Sequence, residues 1–416
     1  MKKQNKNIIL AISSKCISQV GDIMFDFANN SFLAGLGAKS ISLVGIYQAS
    51  ESIVGILFNM FGGVIADNFR RKKIIVLGNL LSGIACILSS LITQNNILIY
   101  AIILVNIFLA VMNSFSSPAY KAYTKEIVEI NKITQLNSYL ETGSTIIKVL
   151  FPIISVVFYK LLGIQGALIL DGLSFLLASL LLSFTKERNI EENDRNKDLK
   201  FKNIFLDLVD GIKYLMNHKK IFLLIILSAL VNFFLAAYNL LLPYSNKMFP
   251  IFSVDLYAIF LSSIAIGGII GSIFSNLINK KLSIYTLTLY LGLSGLLLTL
   301  TPFIYYLFKN YFALAFMLMM FNLFLTIFNI QFFSLIQKEV SNKYLGRVFG
   351  IIFTIAVLFM PIGTTVFSII LNTKASLNFA FIGIAIIILA ISFMVLLKLN
   401  YQKAKQIKEV AKKGKF

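Results

Sequence analysis

Gly62-Gly63-Val64-Ile65-Ala66-Asp67-Asn68-Phe69-Arg70-Arg71-Lys72-Lys73 separates two long apolar runs, at about 41–66 and 74–93. Each run is long enough to cross the hydrocarbon core of a bilayer, which takes about 20 apolar residues. The connector between them is therefore very short, and it carries one acid followed by four cations. The paired glycines ahead of it let a neighbouring helix approach closely. On charge alone, the stretch reads as a tight turn held on the cytoplasmic side by its cations.

The rest of the chain has the same character. It has 416 residues, of which 58% are hydrophobic and only 13% charged. An ordinary soluble domain is about a quarter charged, so this is a membrane protein with many spans. The net charge of +20 could suggest a nucleic-acid partner. The cations, however, sit in short segments between apolar runs, as membrane orientation requires, so no nucleic acid is expected. Cys16 and Cys86 both lie in apolar runs, and their pairing is not implied. His218 is the only histidine and sits beside Lys219 and Lys220, which excludes a histidine-based metal or catalytic cluster within one chain. No metal, cofactor or enzymatic activity is expected. The first apolar run is too long for a cleavable signal and lacks a small-residue cleavage site.

Apolar runs place spans at about 8–34, 41–66, 74–93, 97–117, 137–160 and 164–184, then at about 221–245, 254–279, 284–307, 310–333, 345–371 and 376–398. The expected fold is an all-α membrane protein of twelve transmembrane helices in two six-helix bundles. The N-terminal bundle takes residues 1–184 and the C-terminal bundle 221–400. A linker, 185–220, joins them, and a basic tail, 401–416, follows. With the N-terminus inside, the inner segments hold 31 Lys and Arg and the outer loops 5, so both termini are expected in the cytoplasm. In the linker, 186–200 is charged and poor in apolar residues. Phe201, Ile204, Phe205, Leu208, Ile212 and Leu215 then recur at helical spacing. This is an amphipathic helix, lying on the membrane surface or packed on the bundle. Tyrosines near span ends, such as Tyr100, Tyr159 and Tyr311, supply interfacial anchoring in a chain without Trp.

Several motifs share one resemblance. Gly63, Asp67, Arg71 and Lys72 fit motif A of the major facilitator superfamily, with Asn68 and Arg70 departing from it. Ser117-Pro118-Ala119, Leu170-Asp171-Gly172-Leu173-Ser174-Phe175, Asp210-Gly211-Ile212-Lys213-Tyr214-Leu215, Tyr344-Leu345-Gly346-Arg347-Val348-Phe349-Gly350 and Met360-Pro361-Ile362-Gly363 resemble the branch with macrolide-efflux and enterobactin-exporter type proteins. The resemblance implies pseudo-symmetric halves with nested inverted repeats, alternating access, and export driven by a proton gradient. It also implies that Asp67 could hold Arg71, with Arg70 and Lys72 alongside, and approach Gly346 and Arg347 to latch an inner gate. Two features depart from proton-coupled exporters of this kind. No Arg occurs in the fourth span, where the expected place is near Leu109. In the fifth, Phe151-Pro152-Ile153-Ile154 lacks the glycines of the usual signature.

An ionisable side chain deep in a bilayer costs at least about 2.5–3.5 kcal/mol, so each needs a reason. Asp22 and Asp26 lie four apart in the first span, on one face. Glu51 lies near the middle of the second. Lys148 lies at similar depth in the fifth, with Glu141 two turns below it. Burial favours the neutral form of a carboxylate and a nearby cation restores the charge. Asp22, Asp26 or Glu51 is thus a candidate proton-coupling group, with Lys148 as switchable partner; a static buried ion pair and a water-exposed position near the mouth are the alternatives. For the substrate cavity the candidates are Asn29 and Asn113 in the first half and Tyr238, Asn239, Asn322 and Asn329 in the second. With 38 Phe and 17 Tyr, a bulky apolar or amphipathic small molecule fits such walls. The expected function is proton-driven efflux of such a drug-, macrolide- or siderophore-like compound by a monomer in a bacterial plasma membrane. The alternatives are an uptake symporter, a facilitator or a lipid flippase.

Overall fold

The computed structural model describes residues 2–37, 40–187, 213–216, 218–278, 284–340 and 342–413. Its long helices are α1 (Lys2–Gly35), α2 (Ser40–Asn68), α3 (Arg71–Ser90), α4 (Asn95–Ile127), α5 (Ile130–Ser183), α6 (Lys219–Leu241), α7 (Leu256–Ile278), α8 (Ile284–Phe308), α9 (Tyr311–Glu339), α10 (Asn342–Ile370) and α11 (Asn378–Lys413). Helices are what apolar spans must form, because hydrocarbon offers no partner to a free backbone N–H or C=O.

Among the described residues ten segments are long and apolar enough to cross a membrane, including Tyr139–Ser183 with 45 residues. At 1.5 Å per residue a straight helix of that length spans about 68 Å, more than twice a hydrocarbon core of about 30 Å. The segment breaks at Gly163, whose φ of 65° and ψ of −164° interrupt the helix. Glycine adopts this conformation without Cβ strain, so α5 supplies both the fifth and sixth spans. The 29-residue α10 has the length of a further one.

Helices outrun their apolar runs where nothing breaks them. Most of the charged connector after Gly62 is helical: α2 continues to Asn68 and α3 starts at Arg71, leaving only Phe69 and Arg70 between them. Likewise α4 runs through Pro118 to Ile127. Large apolar side chains point outward, including Leu88, Leu104, Leu161 and Ile369, the last 80% exposed. On a soluble protein such a surface would aggregate; in a bilayer it faces acyl chains. The amphipathic helix expected from Phe201 lies outside the described residues, apart from the helical residues 213–216.

The chain forms two compact units. The first comprises Met1–Phe201, Leu240–Ala265 and Thr364–Thr373; the second comprises Lys202–Asn239, Ile266–Gly363 and Lys374–Phe416. In the first, α1 and α3 pack on α5, and α2 on α4. In the second, α8 packs on α9 and α11. A glycine pair recurs in both. A Cβ on Gly83 would lie 2.8 Å from the Gly172 carbonyl oxygen, and one on Gly295 would lie 2.8 Å from that of Gly383. The two pairs have nearly equal separations in sequence, so each unit uses backbone-to-backbone contact at an equivalent helix crossing.

At the N-terminal end of the first unit Ile8, Ile75, Tyr123, Ile127 and Leu182 form an apolar cluster. Asn7 Nδ2 donates to the carbonyls of Ile127 (3.0 Å) and Lys186 (2.8 Å), and Asn7 Oδ1 accepts from the Lys186 N–H. At the unit's other end Lys247 Nζ donates to the Ala34 carbonyl in the last turn of α1, where a cation is favoured by the helix dipole.

Candidate functional site

A cavity of about 230 Å³ opens inside the first unit between α1, α2, α3 and α4. Asp22, Asp26, Glu51 and Lys15 line it, with Asn79, Asn106 and Asn113 among its neutral polar residues. Spacing explains the α1 side. Lys15, Asp22 and Asp26 follow one another at seven and four residues, which keeps them on one helix face. Asp26 and Glu51 expose their carboxylates to the cavity, while Asp22 and Lys15 are half-buried. Asp22 is within electrostatic reach of Lys15 and Glu51, and Asp26 of Glu51 and Asp22.

Asp26 is fixed by a neighbouring network. Tyr47 Oη, on α2, donates to Asp26 Oδ1 at 2.8 Å, and Asn29 Nδ2 donates to the same hydroxyl at 3.4 Å. Asn106, on α4, donates to the Tyr47 carbonyl at 2.9 Å. One tyrosine, only 1% exposed, thereby ties together α1, α2 and α4, three of the four helices around the cavity. Lys15 Nζ lies 5.9 Å from the centroid of the Tyr120 ring, an arrangement that helps hold a cation out of bulk water.

Behind the cavity lies Asp171, with no solvent exposure. Cys86 Sγ donates to its Oδ2 at 3.4 Å and Ser174 Oγ to its carbonyl at 2.8 Å. Its carboxyl rests against α1 where Gly21 leaves room: a Cβ there would meet Asp171 Oδ1 at 2.5 Å. Asp171 lies seven residues into a span, yet it is not among the deep ionisable groups expected from the sequence. Lys15, which stands nearer a helix end, is likewise not among them.

Lys148 and Glu141 are exposed and lie outside the cavity lining; the cation that faces the carboxylates is Lys15. Asn113 lines the cavity, whereas Asn29 is buried beneath Asp26 in the Tyr47 network. Leu109 also lines it, so where the resemblance leads one to expect an Arg on α4, the positive charge comes from α1 instead. In the second unit Tyr238 packs among Phe321 and Phe379, with ring centroids at 5.0 and 5.5 Å. Asn239 and Asn329 are exposed, and Asn322 is half-buried. Of the motif A set, Arg71 pairs with Glu126 Oε1 at 2.8 Å, and Lys72 Nζ donates to the Thr185 carbonyl at 2.8 Å. Arg70 is exposed at the start of α3. The expected latch falls on Gly63, Asp67, Gly346 and Arg347, whose side-chain environments lie outside the described residues. Among the described residues no group of three or more His, Cys, Asp or Glu could hold a metal ion.

The family model of the Major Facilitator Superfamily matches residues 16–364. The chain belongs to the major facilitator superfamily. As a member it is a transporter embedded in the membrane by many spans, and its bacterial relatives point to the plasma membrane. It is similar to macrolide efflux protein A of Enterococcus faecalis, 24% identical over 339 residues, covering 76% of this chain and 98% of that one. It is also similar to macrolide efflux protein A of Streptococcus pyogenes, 24% identical over 367 residues, covering 82% and 84%. Among solved structures it resembles a bacterial homologue of the iron transporter ferroportin in an inward-facing state. That match has a TM-score of 0.73 at 16% identity and covers 93% of this chain and 98% of that one. The nucleoside transporter NupG matches with a TM-score of 0.72 at 16% identity, covering 96% and 100%. At these identities the solved structures speak to the fold of this superfamily member alone.

Proposed function

We propose that this major facilitator exports a bulky cationic amphipathic compound, of the macrolide type, by alternating access in exchange for protons. The observation that carries this is the charge of the cavity: among the described residues that line it, Asp22, Asp26 and Glu51 face a single cation, Lys15. Fully ionised, such a group would hold excess negative charge among apolar helices, an arrangement that is costly unless something neutralises it. Protons can do so, and so can the ammonium of a substrate. When both compete for the same carboxylates, arrival of one favours departure of the other, which is the requirement for exchange. Similarity to macrolide efflux proteins supports the direction and the substrate class. The two six-helix bundles of the transporter run over 1–184 and 221–400, joined by the linker 185–220, with both termini cytoplasmic.

The test uses inverted membrane vesicles loaded with a proton gradient and given a labelled macrolide. Wild type should accumulate the compound, an uncoupler should abolish accumulation, and Asp22→Asn and Glu51→Gln should each reduce it at least tenfold. Gradient-driven uptake that survives in both variants would remove these carboxylates from the coupling step.

A further inference from the structure

A second, shallower cavity of about 760 Å³ lies between the first turns of α3 and the residues just after α5. Among the described residues, Arg70, Lys72, Lys73 and Lys186 line it against one acid, Glu187. The Lys72 ammonium is anchored on the Thr185 carbonyl and keeps its charge in place. The first turn of α3 contains no acid, and Arg70 makes no side-chain cap, so the positive end of the helix dipole adds to the same field. Below this rim the surface changes character at once. Leu77, Leu81, Ile84 and Leu88 are all exposed along one side of α3, and Phe184 is 60% exposed beside the rim.

We propose that this groove binds the headgroup of an anionic phospholipid from the surrounding bilayer. The phosphate sits among Arg70, Lys73 and Lys186, and an acyl chain follows the leucine stripe of α3. Charge complementarity selects the headgroup: basic pockets between spans at a membrane surface attract anionic lipids. The apolar stripe identifies the source, because a soluble phosphate has no use for it and a lipid tail covers it.

The purified full-length protein would be titrated with phosphatidylglycerol and with phosphatidylcholine, and bound lipid counted by native mass spectrometry. Wild type should retain phosphatidylglycerol in preference to phosphatidylcholine. The double variant Lys73→Gln/Lys186→Gln should bind it roughly 30-fold more weakly, taking the usual strength of one juxtamembrane cation for each residue. Lys338→Gln, a single-cation control elsewhere in the chain, should bind as wild type does. A photo-activatable phosphatidylglycerol should label wild type within 69–77 or 180–187, a measurement that stands even if the double variant fails to fold. Equal retention of the two lipids, unweakened binding in the double variant, or label confined to other segments would overturn the proposal. Displacement of the lipid by millimolar inorganic phosphate would assign the groove to a soluble anion and overturn it equally.

Discussion

Lys15 shares the cavity of the first unit with three carboxylates, and on the proposed function it sets how strongly that cavity attracts a cation. Replacing it with glutamine removes a repulsion worth roughly a factor of ten at about 10 Å in a protein-like dielectric. Lys15→Gln should therefore bind a cationic macrolide more tightly in equilibrium titration; weaker binding would contradict the assigned charge balance. Tyr47 acts on Asp26 directly. Tyr47→Phe removes a donor to a carboxylate and should cost about 1–2 kcal/mol of stability, while changing the pH profile of transport. An unchanged profile would show that this hydrogen bond is structural only. Asp22, Asp26 and Glu51 are legible in the sequence because charge within an apolar run is costly and hence rare. Lys15 lies in the same apolar run as Asp22, but its place beside the carboxylates is not legible there, since only the packing of α4 against α1 brings Tyr120 beside it. Asp171 is hidden for a different reason. Its neighbours Gly172 and Ser174 make it read as part of a motif, and its partner Cys86 lies 85 residues away.

At the scale of the helix, close packing replaces the hydrophobic effect, because lipid is as apolar as the side chains it would release. Gly83 and Gly295 each face a backbone oxygen at 2.8 Å from a notional Cβ, and backbone cannot swing aside as a side chain can. Gly83→Ala and Gly295→Ala should each lower stability by about 1–3 kcal/mol, the usual range for overpacking, read as a lower thermal midpoint in detergent. An unchanged midpoint in either would mean that the crossing is looser than the geometry indicates. The ion pair of Arg71 with Glu126 joins α3 to α4, with side chains 26% and 10% exposed. Solvent reaches the arginine, so Glu126→Gln should cost only about 1 kcal/mol. Apolar runs foretell that these helices exist, but not where they stop. The two-residue break between α2 and α3 and the bend at Gly163 depend on how far each helix projects beyond the hydrocarbon, which composition does not encode.

At the scale of the molecule, the charged cavity belongs to one unit. The carboxylates and Lys15 belong to the first, while the second presents Tyr238 among Phe321 and Phe379. On the proposed function, ion coupling belongs to the first unit. The measurement that tests this most directly is proton release on substrate binding. A cationic macrolide is added to the purified protein in weakly buffered detergent solution, and the change in pH is recorded. About one proton should be released per bound substrate in wild type, and none in Asp22→Asn/Asp26→Asn/Glu51→Gln. Binding of the macrolide without proton release, or release of the same size in the triple variant, would contradict it.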